Sequence, residues 1–85
     1  MKFPILSPGE VAILRAEYAT GHILDESLKI AINDGQTVFT VVNSIDKALQ
    51  IVKDLIKGNE ELECVIYDEK EKMLFYINKG NVREL

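Results

Sequence analysis

The segment Ser44–Gly58 narrows the choice of fold more than any other part of the chain. Ile45, Ala48, Leu49, Val52, Leu55 and Ile56 recur at helical spacing and line one face. Asp46, Lys47, Gln50, Lys53, Asp54 and Lys57 fall on the remaining arc, where they stay in water. Ser44 is a favourable N-cap, because its hydroxyl accepts from an otherwise unpaired amide of the first turn. Asp46 sits near the positive end of the helix dipole and Lys57 near the negative end. Gly58 is suited to the left-handed conformation that closes a helix. A helix with one apolar stripe needs a second layer to lie on, and the flanking segments supply strands for it.

Residues 1–6 read as an extended lead, since Pro4 biases Phe3 away from helix. Ser7-Pro8-Gly9-Glu10 then reads as a helix start. Ser7 caps, Pro8 takes the first helical position and Glu10 completes the capping box. Val11, Leu14 and Tyr18, flanked by Ala12 and Ile13, continue as a short stripe, and the spacing predicts a first helix to Thr20 with Gly21 as its stop. Ser27–Asn33 alternates, with Leu28, Ile30 and Ile32 on one face. Asp34-Gly35 suits a two-residue type I′ turn, and Gln36–Val42 returns. That register sets Ile32 opposite Thr37, Ile30 opposite Phe39 and Leu28 opposite Val41, all toward a core.

After the central helix, Leu62, Cys64 and Ile66 alternate with Glu63, Val65 and Tyr67. Met73, Phe75 and Ile77 alternate with Leu74, Tyr76 and Asn78. A turn centred on Glu69-Lys70 pairs Ile66 with Met73, Cys64 with Phe75 and Leu62 with Ile77. The expected order is α-ββ-α-ββ. The fold class is α+β, in two layers, with a mostly antiparallel four-stranded sheet and helices packed on one face. The 85 residues make a single domain, 1–85, with a polar tail at 79–85 that is free to fray. A crossover through the central helix is right-handed if it joins parallel strands of one sheet.

Composition removes several function classes. With 47% hydrophobic and 28% charged residues the chain is an ordinary globular sequence. A net charge of −4 disfavours nucleic acid and anionic membranes and suits a basic partner. Cys64 stands alone, so neither an internal disulfide nor a zinc site is expected. No cofactor is implied by any motif, since Gly35, Gly58 and Gly80 stand singly. With no signal-like or membrane-spanning run, the expected location is cytoplasmic.

The residues that could carry chemistry are few. His22, with Asp25 and Glu26 close behind, is the one arrangement resembling a general base oriented by a carboxylate, but no nucleophile has a claim on it. A His past a helix end is also a common dipole partner. Cys64 alternates with core positions and reads as an inert hydrophobe. No enzyme is therefore expected. The more informative feature is the back of the second hairpin. Val65, Tyr67, Leu74 and Tyr76 face away from the expected helices, where an antiparallel sheet is normally polar, and Val38 and Val42 extend that face. Glu63, Asp68, Glu69 and Glu71 rim it with negative charge. These eight residues of the second hairpin are the candidate partner-binding set.

Two covers for that face are open from sequence. The first helix or the lead residues Phe3, Ile5 and Leu6 cover it within the monomer, or another protein does. Three functional classes follow. One is a non-catalytic interaction module, of the inhibitor or immunity type, binding a protein through the sheet face and acidic rim. A second is a homodimer, structural or binding a small ligand, packed through Val65, Tyr67, Leu74 and Tyr76. The last is a small enzyme using His22.

Overall fold

The computed structural model describes residues 2–85. In chain order the elements are β1 (Val11–Glu17), β2 (Ile23–Leu24), β3 (Phe39–Val42), α1 (Ile45–Gly58), β4 (Leu62–Tyr67) and β5 (Met73–Ile77). A 3₁₀ turn over Val82–Glu84 follows them. One helix lies on an open 5-stranded antiparallel sheet, which makes the fold α+β.

The main departure from the sequence reading is at the centre of the sheet. The expected first helix is strand β1, which pairs with β4 along one edge and with β3 and then β2 along the other. Pro8-Gly9 is the reason. Glu10 N–H donates to the Ser7 carbonyl (3.0 Å) with Gly9 at φ 89°, a type II turn with Pro and Gly in their preferred places. The Ser7 N–H still donates to the Glu10 carboxylate (2.7 Å), so half of the anticipated capping box forms, but around a turn. Val11–Ala16 is buried on both faces. A strand covered on both faces shows no alternation, and in a short window its apolar run mimics a helix.

The expected hairpin between Ser27–Asn33 and Gln36–Val42 is absent. Asp34-Gly35 does turn, with Gln36 N–H directed at the Asn33 carbonyl (3.4 Å), but neither residue has the positive φ of a type I′ turn. β3 pairs instead with β1, placing Phe39 opposite Leu14 and Val41 opposite Ala12 on the sheet face away from the helix. Val42 packs against the helix-side core, so the faces of this strand are the reverse of those expected.

α1 forms where expected. Ser44 Oγ accepts from the Lys47 N–H (3.1 Å). Ala48, Val52 and Ile56 are buried against Val11, Ile13, Leu62, Cys64, Ile66 and Ile77, each larger side chain stabilising on the order of 2 kcal/mol. Gly58 is the last helical residue and does not turn left-handed. Asn59, extended at φ −153°, ends the helix with its N–H shared between the Leu55 and Ile56 carbonyls. β3 and β4 are both antiparallel to β1 and so parallel to each other, and α1 connects them over β1.

The second hairpin forms in a different register. Cys64 lies opposite Ile77 and Ile66 opposite Phe75. Asp68 N–H donates to the Lys72 carbonyl (2.9 Å) and Glu71 N–H to the Asp68 carbonyl (3.1 Å), with Glu71 at φ 61°. This is a type I turn followed by a left-handed residue, one longer than the expected turn. An irregularity beyond Ile66/Tyr67, which sets Tyr67 opposite Met73, adds a second residue and restores the face of Phe75 and Ile77. Met73 is turned to the outer face and is half exposed, whereas Leu74 packs against the helix-side core.

Candidate protein-binding surface

The segment between β2 and β3 is held by polar side chains that point inward. Asp25, only 8% exposed, accepts from the N–H groups of Ser27 (2.8 Å) and Lys29 (3.0 Å) and from Gln36 Nε2 (2.8 Å). Gln36 Nε2 also donates to the Ile30 carbonyl (3.0 Å), while its Oε1 accepts from the Ile32 (2.6 Å) and Asn33 (3.1 Å) N–H groups. The amide is saturated by these contacts. Gln36 first, then the Lys29 and Ser27 amides, hold the Asp25 carboxyl below the usual carboxylate range.

Asp25–Lys29 repeats the turn of the second hairpin. Asp25 N–H donates to the Lys29 carbonyl (2.8 Å), Leu28 N–H to the Asp25 carbonyl (3.0 Å), and Leu28 sits at φ 65°. Ala31 N–H to the Ile23 carbonyl (2.8 Å) and a Leu24–Ile30 bridge extend the ladder. The sequences are Asp-Glu-Ser-Leu-Lys and Asp-Glu-Lys-Glu-Lys. In each, the Asp side chain accepts from the amides two and four residues on.

With the polar groups used internally, the apolar ones are outside. Leu28 is 40%, Ile30 46% and Ile32 81% exposed, although all three were expected in the core. Ile32 borders an open cleft of about 740 Å³ that Lys2, Asp34, Val38 and Phe39 also line.

A buried cation anchors the other end of this segment. Arg15 lies on the helix side of β1 between Leu24 and Cys64, where the β1 edge passes from β3 to β2. It is 3% exposed, and burial pulls its pKa down. Nη2 donates to the Val38 carbonyl and Nη1 to Thr40 Oγ1, both at 2.6 Å. Thr40 in turn donates to Glu26 (2.6 Å), and Arg15 Nε is buried without a partner.

The eight sequence-derived candidates do not form one surface. Val65, Tyr76 and Glu63 lie together on the outer face, with the Tyr76 hydroxyl donating to Glu63 (2.9 Å). Tyr67 is on the same face, but Phe3 packs edge-on against both it (5.7 Å) and Phe39 (5.2 Å). Of the lead residues expected to cover this face Phe3 does so, over Tyr67 and Phe39, whereas Ile5 is 99% exposed, and no first helix is there to add to it. Leu74 is on the opposite side. Asp68 is turned into its own hairpin loop, and the Lys72 and Lys70 amides hold its pKa down. Glu69 and Glu71 are exposed at the loop tip. The free edge of β5 is blunted where Asn81 Nδ2 donates to the Tyr76 carbonyl (2.9 Å).

His22 is exposed, and the carboxylates proposed to orient it are engaged elsewhere, Asp25 by Gln36 and Glu26 by Thr40. Burial pushes the Cys64 thiol up to about 11. Among the described residues no cluster of three or more His, Cys, Asp or Glu could hold a metal ion. No helix there is long and apolar enough to cross a membrane.

The residues sequence reasoning missed are Leu28, Ile30, Ile32 and Arg15. The repeated Asp-Glu-x-x-Lys is a signal for the turn at 25–29, since the same pattern turns at 68–72, but nothing in the sequence marks Arg15 or the exposure of Ile30 and Ile32. Compared with known protein families, curated proteins and solved structures, the chain matches none.

Proposed function

We propose that this protein is a non-catalytic protein-binding module of the inhibitor or immunity type. One observation carries the reading: the Asp25–Val38 segment is ordered by its own polar side chains while Leu28, Ile30 and Ile32 are presented to solvent. Loops ordinarily place polar groups outward, and ordered backbone carrying exposed aliphatic side chains is the form taken by preorganised contact loops. The partner surface is thus centred on this loop, with Val65, Tyr76 and Glu63 on the outer sheet face as a second region. Exposed Glu69 and Glu71 at the tip of the β4–β5 turn, and the net charge of −4, attract a basic partner.

Affinity capture on immobilised protein tests the reading. Replacing Ile30 and Ile32 with Ser leaves the fold intact by circular dichroism and abolishes capture of the partner retained by the natural chain. Equal capture by both, or none by either, rejects it.

A further inference from the structure

We infer that residues 2–6 are a displaceable strap over a site on the outer sheet face, and that the site takes an aromatic side chain, followed by proline, from an extended segment of a partner; this rests on the protein-binding reading above. The register of three strands builds the site. Ala12 and Leu14 of β1 form its floor, with Tyr67 and Val65 of β4 on one side and Val41 and Phe39 of β3 on the other. Ala12 carries only a methyl group between two larger neighbours, which leaves a depression in the sheet surface. The Phe3 ring is seated there, edge-on to Phe39 at 5.2 Å and to Tyr67 at 5.7 Å, within the range where aromatic pairs attract. Ala12 is 0% and Leu14 8% exposed although neither belongs to the helix-side cluster, a burial that the helix does not supply.

That ring is the strap's main hold. Among the described residues no hydrogen bond joins residues 2–6 to the sheet, and those between Ser7 and Glu10 close the turn from which the strap departs. Phe3 is half-buried, and Ile5 close to it is 99% exposed. Pro4 keeps Phe3 extended, so the occupant that fits is an extended aromatic-proline segment, which aromatic-lined grooves take at low entropic cost. The cleft lined by Lys2, Val38 and Phe39 adjoins the site and leaves room for a longer segment to continue. A tethered occupant acts at an effective concentration on the order of millimolar. A partner displaces it by adding contacts around the site, which Tyr76 and Glu63 offer on the same face.

The test uses the full ¹⁵N-labelled chain and a synthetic peptide of residues 2–6, Lys-Phe-Pro-Ile-Leu, with a second peptide carrying Ser in place of Phe. Phe3→Ala, which vacates the site, is expected to bind the first peptide with shifts at Leu14, Phe39, Val65 and Tyr67. The natural chain is expected to bind it at least tenfold more weakly, because Phe3 competes. As it binds, the amides of residues 2–6 move to random-coil positions, which reports displacement without any variant. The Ser peptide is expected to bind neither chain. Equal affinity of the natural chain and Phe3→Ala overturns the strap. No binding by either chain, or equal binding of the two peptides, overturns the aromatic site. Shifts confined to residues 26–34 place the peptide on the loop, which overturns this site and leaves the protein-binding reading standing. A natural chain whose mass doubles in light scattering as concentration rises, with the same shifts, overturns the partner segment in favour of a second copy's lead. The capture experiment with Ile30 and Ile32 decides the broader reading separately.

Discussion

Leu28 and Glu71 occupy the same position of two turns built alike, at φ 65° and φ 61°, each closed by an Asp whose side chain accepts from two amides. A left-handed L-residue costs about 1–2 kcal/mol, and Gly returns part of that as unfolded-state entropy. Leu28→Gly and Glu71→Gly are each expected to stabilise the free protein by about 0.5–1 kcal/mol. Urea unfolding measures both, and destabilisation by either substitution would show that the side chain packs more than its exposure implies.

Arg15 stitches the seam between β2 and β3. Arg15→Ala leaves the Val38 carbonyl and Thr40 without their donor and opens a cavity, and it is expected to cost about 3 kcal/mol. Arg15→Met fills the volume without the charge, and it should recover part of that loss. Hydrogen exchange should quicken at Glu26 and Ala31 in the Ala variant before it does in α1.

Acid sensitivity follows from two carboxylates. Asp25 and Asp68 both have folded pKa values below the ordinary carboxylate value, about 3.9 in the unfolded chain. Their contribution is therefore complete above that value and is lost as pH falls below it, through the lower folded pKa. Asp25→Asn should flatten the acid limb of the stability curve below about pH 4. An unchanged limb would place the acid sensitivity elsewhere.

Phe3 covers the Phe39–Tyr67 part of the outer face through its edge contacts with both rings. Phe3→Ala is expected to cost about 1 kcal/mol and to increase binding of a hydrophobic dye. Unaltered dye fluorescence would mean that Phe39 and Tyr67 stay covered without Phe3.

Cys64 is fully buried and its thiol is held near 11. It should react with a thiol reagent only as the domain unfolds, so the labelling rate becomes a probe of opening. Fast labelling under native conditions would contradict the packing of β4 beneath α1.

Local chemistry made α1 legible, because cap, stripe and flanking charges all lie within one stretch from Ser44 to Lys57. The alternation in β4 was equally clear, since Leu62, Cys64 and Ile66 pack on a single covered face. The candidate site was legible only in part. Val65, Tyr76 and Glu63 follow from alternation, but Leu74 escaped it because the irregularity beside Met73 shifts the period. Leu28, Ile30 and Ile32 alternate like a strand face, and nothing local distinguishes an apolar side chain bound for the core from one left outside.

The α+β class, the central helix and the alternating face of β4 are legible in the residues alone. These depend on contacts between near neighbours or on one element's own periodicity. Long-range pairing is what makes Val11–Glu17 the central strand and joins β3 to β1. Strand pairing joins residues distant along the chain, and a strand buried on both faces carries no period to declare itself. Its identity is settled only when β4 on one side and β2 and β3 on the other take up its backbone hydrogen bonds.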